Sequence, residues 1–213
     1  ADIIVVNDFD KANYPDKIVA RNSTGLDGIK AKEIISLRGE DLSDLMAVPE
    51  LCLGFAIYLI RIFKGEELKG KTALITGWGR IGKQFGKYLN QIGINPFVID
   101  KENLNQLDEF LGLSDIVSLH ITSDIENKGF MDKSKFEKMK DGAIFLNSSR
   151  DWLVDNEALR WALDNKLSAC WTDFELPFKH EKLITTPHLG GATKESKKKS
   201  EMIIAKKRLK YGK

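Results

Sequence analysis

The sequence has few of the features that mark secreted or membrane proteins. It contains two cysteines, Cys52 and Cys170, each among apolar neighbours, which favours free buried thiols in a reducing compartment over a disulfide framework. Its longest apolar run, LCLGFAIYLI at 51–60, is too short to cross a bilayer. The first residues lack the basic and then apolar pattern of a secretion signal. We therefore expect a cytoplasmic protein, and we predict no metal site.

The chain also lacks a large excess of either charge. The net charge of +2 is too small to indicate a nucleic-acid partner by itself. Residues 194–213, however, hold nine Lys and Arg against two Glu, or +7, which leaves −5 for the other 193 residues. Apolar residues at 203–205 and 209 within this segment are typical of a helix with one apolar stripe and a basic outer face. A solvated helix face is the simpler interpretation, and binding to an anionic surface or a polynucleotide is the weaker alternative.

With hydrophobic residues at 42% and only five prolines, the chain can form a core from regular elements. Apolar and β-branched runs predict strands, and amphipathic periodicity predicts helices between them. Strands separated by helices of this length indicate crossover connections, and hence a doubly wound parallel sheet of the α/β class. The predicted strands are 3–6, 17–20, 71–76, 95–100, 115–120, 143–148, 168–172 and 183–187. The predicted helices are 44–64 (capped by Ser43 or Asp44), 80–93, 103–113, 132–140, 155–165 and the basic segment 194–213.

A glycine-rich motif follows the predicted strand 71–76. In ITGWGRIGKQFG, Gly77, Gly79 and Gly82 have the GxGxxG spacing, directly after a strand and at the start of a helix. Gly77 permits a tight turn, Gly79 lets the backbone approach a pyrophosphate, and Gly82 lets the helix pack closely on the strand. The helix then begins at Arg80 and Ile81 with its N-terminus facing the phosphates, so these residues are assigned to the cofactor site. The alternative is a nucleotide-free sheet whose glycines serve packing alone.

The acidic residue that should accompany this motif is present. Asp100 ends the next predicted strand, 23 residues after Gly77. A carboxylate there accepts hydrogen bonds from the adenosine ribose and repels a 2′-phosphate, which favours NAD over NADP. Lys101 beside it weakens that preference slightly.

Four further stretches resemble one family. They are VPELCLGFAIYLIR (48–61), SDIVSLH (114–120), MKDGAIFLNSSRDWLVDNEAL (139–159) and TTPHLGGAT (185–193). With the glycine motif, they are similar to the NAD-dependent D-isomer-specific 2-hydroxyacid dehydrogenases, the group that includes phosphoglycerate and D-lactate dehydrogenases. The resemblance runs from about Lys17 to the C-terminus. It implies a Rossmann-type NAD-binding domain at 44–193. Residues 1–43 would be a shortened, flavodoxin-like substrate domain, completed by the C-terminal helix 194–213.

The resemblance also implies catalytic residues. Arg150 would bind the substrate carboxylate and polarise the keto oxygen, since arginine stays charged and presents a fork that matches a carboxylate. His188 would be the general acid and base, because a neutral imidazole suits removal of an alcohol proton near pH 7. Glu175 is the available acid that could orient the histidine and raise its pKa. A surface salt bridge for Arg150 and a structural loop position for His188 are the alternatives.

The remaining assignments carried by the resemblance concern the ligands. Asp173 would hold the nicotinamide side of the cofactor, and Gly190 would let the backbone run beside the ring. His120 would lie where the family packs the cofactor, although a structural role is the simpler interpretation. The backbone N–H groups of Ser23, Thr24 and Gly25 would bind the substrate carboxylate.

The sequence departs from the family pattern at several positions. Asp151 replaces the glycine that follows the catalytic arginine, and Thr122 replaces a proline. The segment TDFELPF (172–178) is compressed around Glu175. The resemblance implies a homodimer, whereas the short segment 61–71 lacks the arm that helps form it. The N-terminal substrate domain is also shorter than in the family.

These observations lead to one main hypothesis and one of a different class. The main hypothesis is an oxidoreductase that transfers a hydride between NAD(H) and a small 2-hydroxy acid or 2-oxo acid. The alternative is an NAD(H)-binding module without turnover, serving as a sensor or a subunit. Nucleic-acid association through the basic C-terminal helix is the weaker third hypothesis.

Overall fold

The structure, a computed structural model, describes residues 3–6 and 11–211. It forms two compact units, Ala1–Leu45 with Gly191–Lys213, and Met46–Gly190. Among the described residues, nine strands lie in two parallel sheets. The first unit contains β1 (Ile3–Val6), β2 (Ala12–Arg21), β3 (Ile29–Ile35) and α6 (Lys194–Tyr211). The second contains α1 (Ala47–Leu59), β4 (Ala73–Thr76), α2 (Arg80–Gln91), β5 (Phe97–Ile99), α3 (Leu107–Leu113), β6 (Ile116–Leu119), α4 (Lys133–Lys138), β7 (Ile144–Asn147), α5 (Asn156–Asn165), β8 (Ala169–Thr172) and β9 (Leu183–Thr185).

The larger unit is built on six parallel strands in the order β5-β4-β6-β7-β8-β9. Every residue of β4, β6, β7 and β8 is buried, as expected when helices cover both faces of a parallel sheet. One face packs on α3, α4 and α5 through a cluster that includes Leu111, Phe136 and Leu163. The other packs on α1 and α2 through Cys52, Leu59, Phe85 and Leu89 among others. The prediction of a doubly wound α/β sheet is therefore confirmed.

Helix ends follow local capping chemistry, with two departures from the sequence predictions. Asp132 and Asp155 cap α4 and α5, since each carboxylate accepts a backbone N–H of the first turn. The first helix begins at Ala47 with Met46 at the N-cap position, so the predicted start at Ser43 or Asp44 was wrong. The predicted helix 103–113 is divided into a 3₁₀ segment, Lys101–Gln106, followed by α3.

The smaller unit is a three-stranded sheet in the order β1-β2-β3. Ile18, Ala20 and Ile35 of the sheet form a buried cluster with Ile204 of α6. The strand β3 was not predicted, although apolar and charged residues alternate in the first part of IKAKEII as they do in a half-exposed strand.

The basic helix α6 is tied to its own unit by ion pairs as well as by Ile204. Lys199 pairs with Asp44, and Lys207 lies 2.6 Å from Glu40. Part of the basic charge at the C-terminus is therefore used inside the unit. Within the described residues, no helix is long and apolar enough to cross a membrane.

Candidate active site

The predicted site residues of the larger unit lie at one edge of its sheet. Because all six strands are parallel, their carboxyl ends share that edge. The strand order reverses between the neighbouring strands β4 and β6, which is where ligands bind in sheets of this kind. Each strand is followed by a residue singled out in the sequence. In order across the sheet these are Asp100 after β5, Gly77 after β4, His120 after β6, Arg150 after β7, Asp173 after β8 and His188 after β9.

The glycine turn after β4 is held tightly against the sheet. Gly77 has φ +96, and its N–H donates to the Ile99 carbonyl at 2.7 Å. A Cβ on Gly77 would lie 2.6 Å from the His120 carbonyl carbon, and one on Gly82 would lie 2.2 Å from the Gly77 oxygen. Side chains are excluded at both positions by neighbouring backbone. A Cβ on Gly79, by contrast, would meet no atom within 4 Å. The turn therefore leaves open space at Gly79, where the fingerprint places a pyrophosphate.

Asp100 is fixed beside this turn. Its carboxylate accepts the Trp78 N–H at 3.3 Å and the Lys101 N–H at 2.9 Å. Its own N–H donates to Asn103 Oδ1 at 2.8 Å, and Asn103 Nδ2 donates to the Val98 carbonyl at 2.8 Å. These two hydrogen bonds of the Asn103 side chain fix the backbone conformation at Asp100. Sequence reasoning missed Asn103, although an Asn three residues after an N-cap Asp is a local capping signal.

His120 lies in a polar network between the ends of β6 and β7. Its Nε2 is 2.8 Å from Ser118 Oγ, and its Nδ1 is 3.4 Å from Ser148 Oγ. The ring centroid is 5.6 Å from that of Phe85. Burial lowers the pKa of His120 to about 3, so the imidazole is neutral at physiological pH. A proton-transfer role for His120 is not supported by this environment, and its contact with cofactor stays a prediction.

Arg150 is presented by a turn that a buried asparagine organises. Asn147, which ends β7 and has no exposed surface, donates from Nδ2 to the Arg150 carbonyl at 3.0 Å. Its Oδ1 accepts the Ser149 N–H at 2.9 Å. The guanidinium donates from Nη1 to the Ser149 carbonyl at 2.9 Å and lies 6.0 Å from the Trp152 ring centroid. Asp151, the departure from the family glycine, is exposed.

The loop after β9 carries His188 in an unusual backbone conformation. Among the described residues other than glycine, His188 alone has a positive φ, at 53°. Asp173, only 1% exposed, accepts the Leu189 N–H and the Gly190 N–H, both at 2.7 Å. Glu175 is exposed and accepts the Thr185 hydroxyl at 3.2 Å. Its predicted role in orienting His188 is not tested by that contact and stays a prediction.

The glycine at 190 has a structural reason that the sequence did not reveal. A Cβ there would lie 2.9 Å from Asp173 Oδ2 and 3.1 Å from Val48 Cγ2. The absence of a side chain is therefore required by packing inside the protein. A cofactor contact at Gly190 stays a prediction.

Ser23, Thr24 and Gly25 belong to the smaller unit, in the turn that follows β2. Ser23 Oγ donates to the Gly25 carbonyl at 3.0 Å, and the Thr24 carbonyl accepts Arg38 Nε at 2.9 Å. Their carboxylate-binding role is likewise untested.

A parallel sheet with a tight glycine turn at its switch point, and an acid fixed beside that turn, defines a Rossmann-type dinucleotide-binding fold. Comparison with known proteins gives the family. The model of the D-isomer specific 2-hydroxyacid dehydrogenase NAD binding domain matches residues 60–190, and the chain belongs to this family.

Individual relatives support the same family assignment. The chain is 36% identical over 165 residues to a D-3-phosphoglycerate dehydrogenase of Archaeoglobus fulgidus, covering 67% of this chain and 31% of that protein. It is 29% identical to the Haemophilus influenzae D-3-phosphoglycerate dehydrogenase, covering 91% of this chain and 57% of the relative. It thus spans less than two thirds of both relatives. The structure of NAD⁺-bound 3-phosphoglycerate dehydrogenase from Entamoeba histolytica is similar with a TM-score of 0.79 and 25% identity, covering 97% of this chain and 78% of that one.

Proposed function

We propose that the protein is an NAD-dependent oxidoreductase that interconverts a small 2-hydroxy acid and the corresponding 2-oxo acid. The observation that supports this most directly is the order of residues along the carboxyl edge of the sheet. The glycine turn and Asp100 lie at the β5–β4 end, and Arg150 and His188 follow β7 and β9 toward the other end. An extended dinucleotide lying along this edge would have its adenosine near Asp100 and its nicotinamide toward the two candidate catalytic residues.

The residues around the glycine turn fit a dinucleotide. Gly79 leaves room for a close approach, and the N-terminus of α2 offers backbone N–H groups to an anion. Arg80 lies in the first turn of α2, and its guanidinium would supply further N–H donors to the pyrophosphate. Asp100 would accept hydrogen bonds from the ribose hydroxyls. NAD(H), when bound, supplies or accepts the hydride.

The candidate catalytic residues supply recognition and proton transfer. The Arg150 guanidinium would bind the substrate carboxylate through paired N–H donors and polarise the oxygen on the adjacent carbon. His188 would take the hydroxyl proton during oxidation and return it during reduction. Asp173 would retain acceptor capacity for the nicotinamide carboxamide, because three hydrogen bonds leave one of about four lone-pair positions on its carboxylate.

The proposal is tested by measuring NADH oxidation with a panel of 2-oxo acids, namely glyoxylate, pyruvate and hydroxypyruvate. We expect turnover with at least one of them, and we expect His188→Asn to lower kcat by about 10²–10⁴-fold, the range typical of a lost general acid. Asparagine tolerates the left-handed backbone at this position. The matched control is His180→Asn, because His180 bonds Asp164 at 3.2 Å on the surface and has no assigned role in the reaction.

Two results would reject the proposal. One is tight NADH binding with no turnover on any acid, which would favour the NAD(H)-binding module. The other is equal activity in the His188 and His180 variants. The assay thus separates enzyme from binding protein and identifies the size of substrate.

A further inference from the structure

The His188 loop raises a question that the proposed chemistry does not answer. A histidine at φ 53 adopts a conformation that costs an L-residue free energy, and such a residue persists only when its surroundings determine it. The preceding Pro187 begins to explain the turn. The His188 N–H donates to the Thr186 carbonyl at 2.8 Å, a three-residue turn centred on proline, whose fixed φ suits it.

We propose that Thr186 and Asp173 act together as positioning residues that hold His188 in this conformation. The hydroxyl of Thr186 donates to Asp173 Oδ1 at 2.7 Å, two residues before the histidine. The N–H groups of Leu189 and Gly190, directly after it, donate to Oδ1 and Oδ2 of the same carboxylate. One buried carboxylate therefore ties both sides of the strained residue to the end of β8.

The direction of the hydroxyl bond is set by a buried neighbour. Trp171, which is fully buried in β8, donates from Nε1 to Thr186 Oγ1 at 3.0 Å. Because the indole can only donate, the threonine oxygen is the acceptor and its single proton is available to Asp173. The alternative acceptor, the Thr172 carbonyl, is at 3.5 Å, much farther than the carboxylate. The two hydrogen bonds therefore run in one direction, from the Trp171 indole to the Thr186 hydroxyl and from that hydroxyl to the Asp173 carboxylate.

These loop contacts are separate from the cofactor contact proposed for Asp173, which would use the remaining lone pair of its carboxylate. The Thr186 hydroxyl accepts from Trp171 and donates to Asp173, and the Asp173 carboxylate accepts three hydrogen bonds from loop residues. The inference rests on the proposed function only in giving His188 a proton-transfer task. The loop contacts themselves are independent of any ligand.

The first test measures backbone amide hydrogen exchange of Leu189 and Gly190 in the full chain without cofactor. Both amides should be protected in the wild type, because exchange requires opening of their bonds to Asp173. Thr186→Val removes the hydroxyl while keeping a similar shape, and we expect it to speed exchange at both amides by about tenfold, the factor for one hydrogen bond to a charged group. Thr186→Ser restores the hydroxyl and should return exchange to within about threefold of wild type.

The adjacent threonine provides the matched control. Thr185→Val makes the same chemical change one residue earlier, where the hydroxyl bonds the exposed Glu175. It should leave the exchange of Leu189 and Gly190 within about threefold of wild type, as for a surface substitution. Equal effects of the two valine variants would overturn the proposal, as would unchanged exchange in Thr186→Val.

A second variant keeps the test decisive if Thr186→Val does not fold. Asp173→Asn retains one oxygen acceptor but replaces the other with an N–H₂ donor that cannot accept a backbone N–H. One loop amide, with Gly190 the expected one, should then exchange faster than the other. Uniform exchange across both amides and the rest of the loop would contradict the proposal.

The kinetic readout distinguishes positioning from cofactor binding. Thr186→Val should lower kcat by about tenfold because the histidine is displaced, while the KM for NADH stays within about threefold because the glycine turn and Asp100, which would hold the rest of the dinucleotide, are unchanged. Thr186→Ser should recover kcat. A wild type with no turnover but with the predicted exchange pattern would reject the proposed function and leave the positioning role standing. Turnover without that pattern would do the reverse.

Discussion

Replacing Gly79 with alanine tests the dinucleotide site apart from the catalytic chemistry. The residue has φ −77 and ψ −166, an extended conformation open to alanine, and its added methyl meets no protein atom within 4 Å. Stability should therefore stay within about 1 kcal/mol of wild type, or about 4 °C in Tm, because the less flexible unfolded chain offsets the poorer helix capping by alanine at this N-cap position. The methyl instead occupies the space expected for the pyrophosphate, so the Kd for NADH should increase by about tenfold or more, equivalent to at least about 1.4 kcal/mol.

Two other glycines make the result interpretable. At Gly82 the same substitution places a methyl 2.2 Å from the Gly77 oxygen and 3.1 Å from Ile75 Cγ2, so α2 must move away from β4. Gly82→Ala should lose about 1–3 kcal/mol of stability, the range for overpacking, along with NADH binding. Gly54→Ala, on the exposed face of α1 with no atom within 4 Å, should be stabilising and should bind NADH normally.

Fluorescence titration with NADH and thermal unfolding measure both quantities without any substrate. Undiminished NADH affinity in Gly79→Ala would refute the reasoning, since the glycine motif would then serve packing alone. Loss of stability in Gly79→Ala comparable with that of Gly82→Ala would show that the open space does not exist.

Three further predictions concern buried titratable groups of the larger unit. His120 has a pKa of about 3 when folded and an ordinary value of 6.5, so the unfolded chain gains the proton first as pH falls. Stability should decline by about 2 kcal/mol between pH 6.5 and 5 from this group, and His120→Gln should remove that part of the decline in urea unfolding measured at each pH. Burial of Asp115 tends to raise its pKa, but its hydrogen bonds, including one from Lys140 Nζ at 2.7 Å, outweigh this and hold the pKa below the usual range. Asp115→Asn should lower the unfolding free energy by about 1–3 kcal/mol at pH 7, and a smaller loss at pH 7 than at pH 3 would contradict this. Burial raises the pKa of Cys52 to about 12 and that of Cys170 further, so both thiols should react with a thiol reagent only on unfolding; rapid labelling of the native protein would be inconsistent with the packing.

The fold was predictable from the sequence because its signals are local. Short apolar strands, helices of regular spacing and the GxGxxG turn depend on neighbouring residues, and in the larger unit they were placed to within a few residues apart from the division of 103–113. In the smaller unit, β2 begins at Ala12, five residues before the predicted strand 17–20. The strand β3 was missed although Ile29, Lys30, Ala31 and Lys32 alternate in polarity, which is a strand signal. The start of α1 was misplaced because its polar N-terminal neighbours offered attractive caps that the chain does not use.

The contacts that fix the site were not predictable, since they join residues distant in sequence. Asp173 and Gly190 are 17 positions apart, and nothing local indicates that one carboxylate accepts two successive amides of a later loop. The sequence prediction placed the nicotinamide ring beside Gly190, and that contact stays a prediction. The immediate neighbour of Gly190 in the structure is the carboxylate of Asp173, which only the register of β8 and β9 reveals.

Three of the strand ends are nevertheless stabilised in the same way. Where a parallel strand stops, backbone N–H and C=O groups lose their ladder partners and must be satisfied by something else. Asn103 does this beside Asp100, and Asn147 does it beside Arg150, each with both polar atoms of its amide in use. Asp173 does it on both sides of His188.

In each case a side chain that completes the backbone hydrogen bonding also decides where a neighbouring charged or titratable group is presented. The two tasks are linked physically, because a loop whose orphan amides are bonded to one rigid acceptor has few alternative conformations. Substitutions at Asn103 and Asn147 should therefore resemble substitutions of Asp100 and Arg150, the residues proposed to face the ligands, in their effect on activity, although neither asparagine side chain needs to touch cofactor or substrate. The geometry of this edge of the sheet thus depends on polar residues such as Asn103 and Asn147, which a search for reactive side chains does not identify.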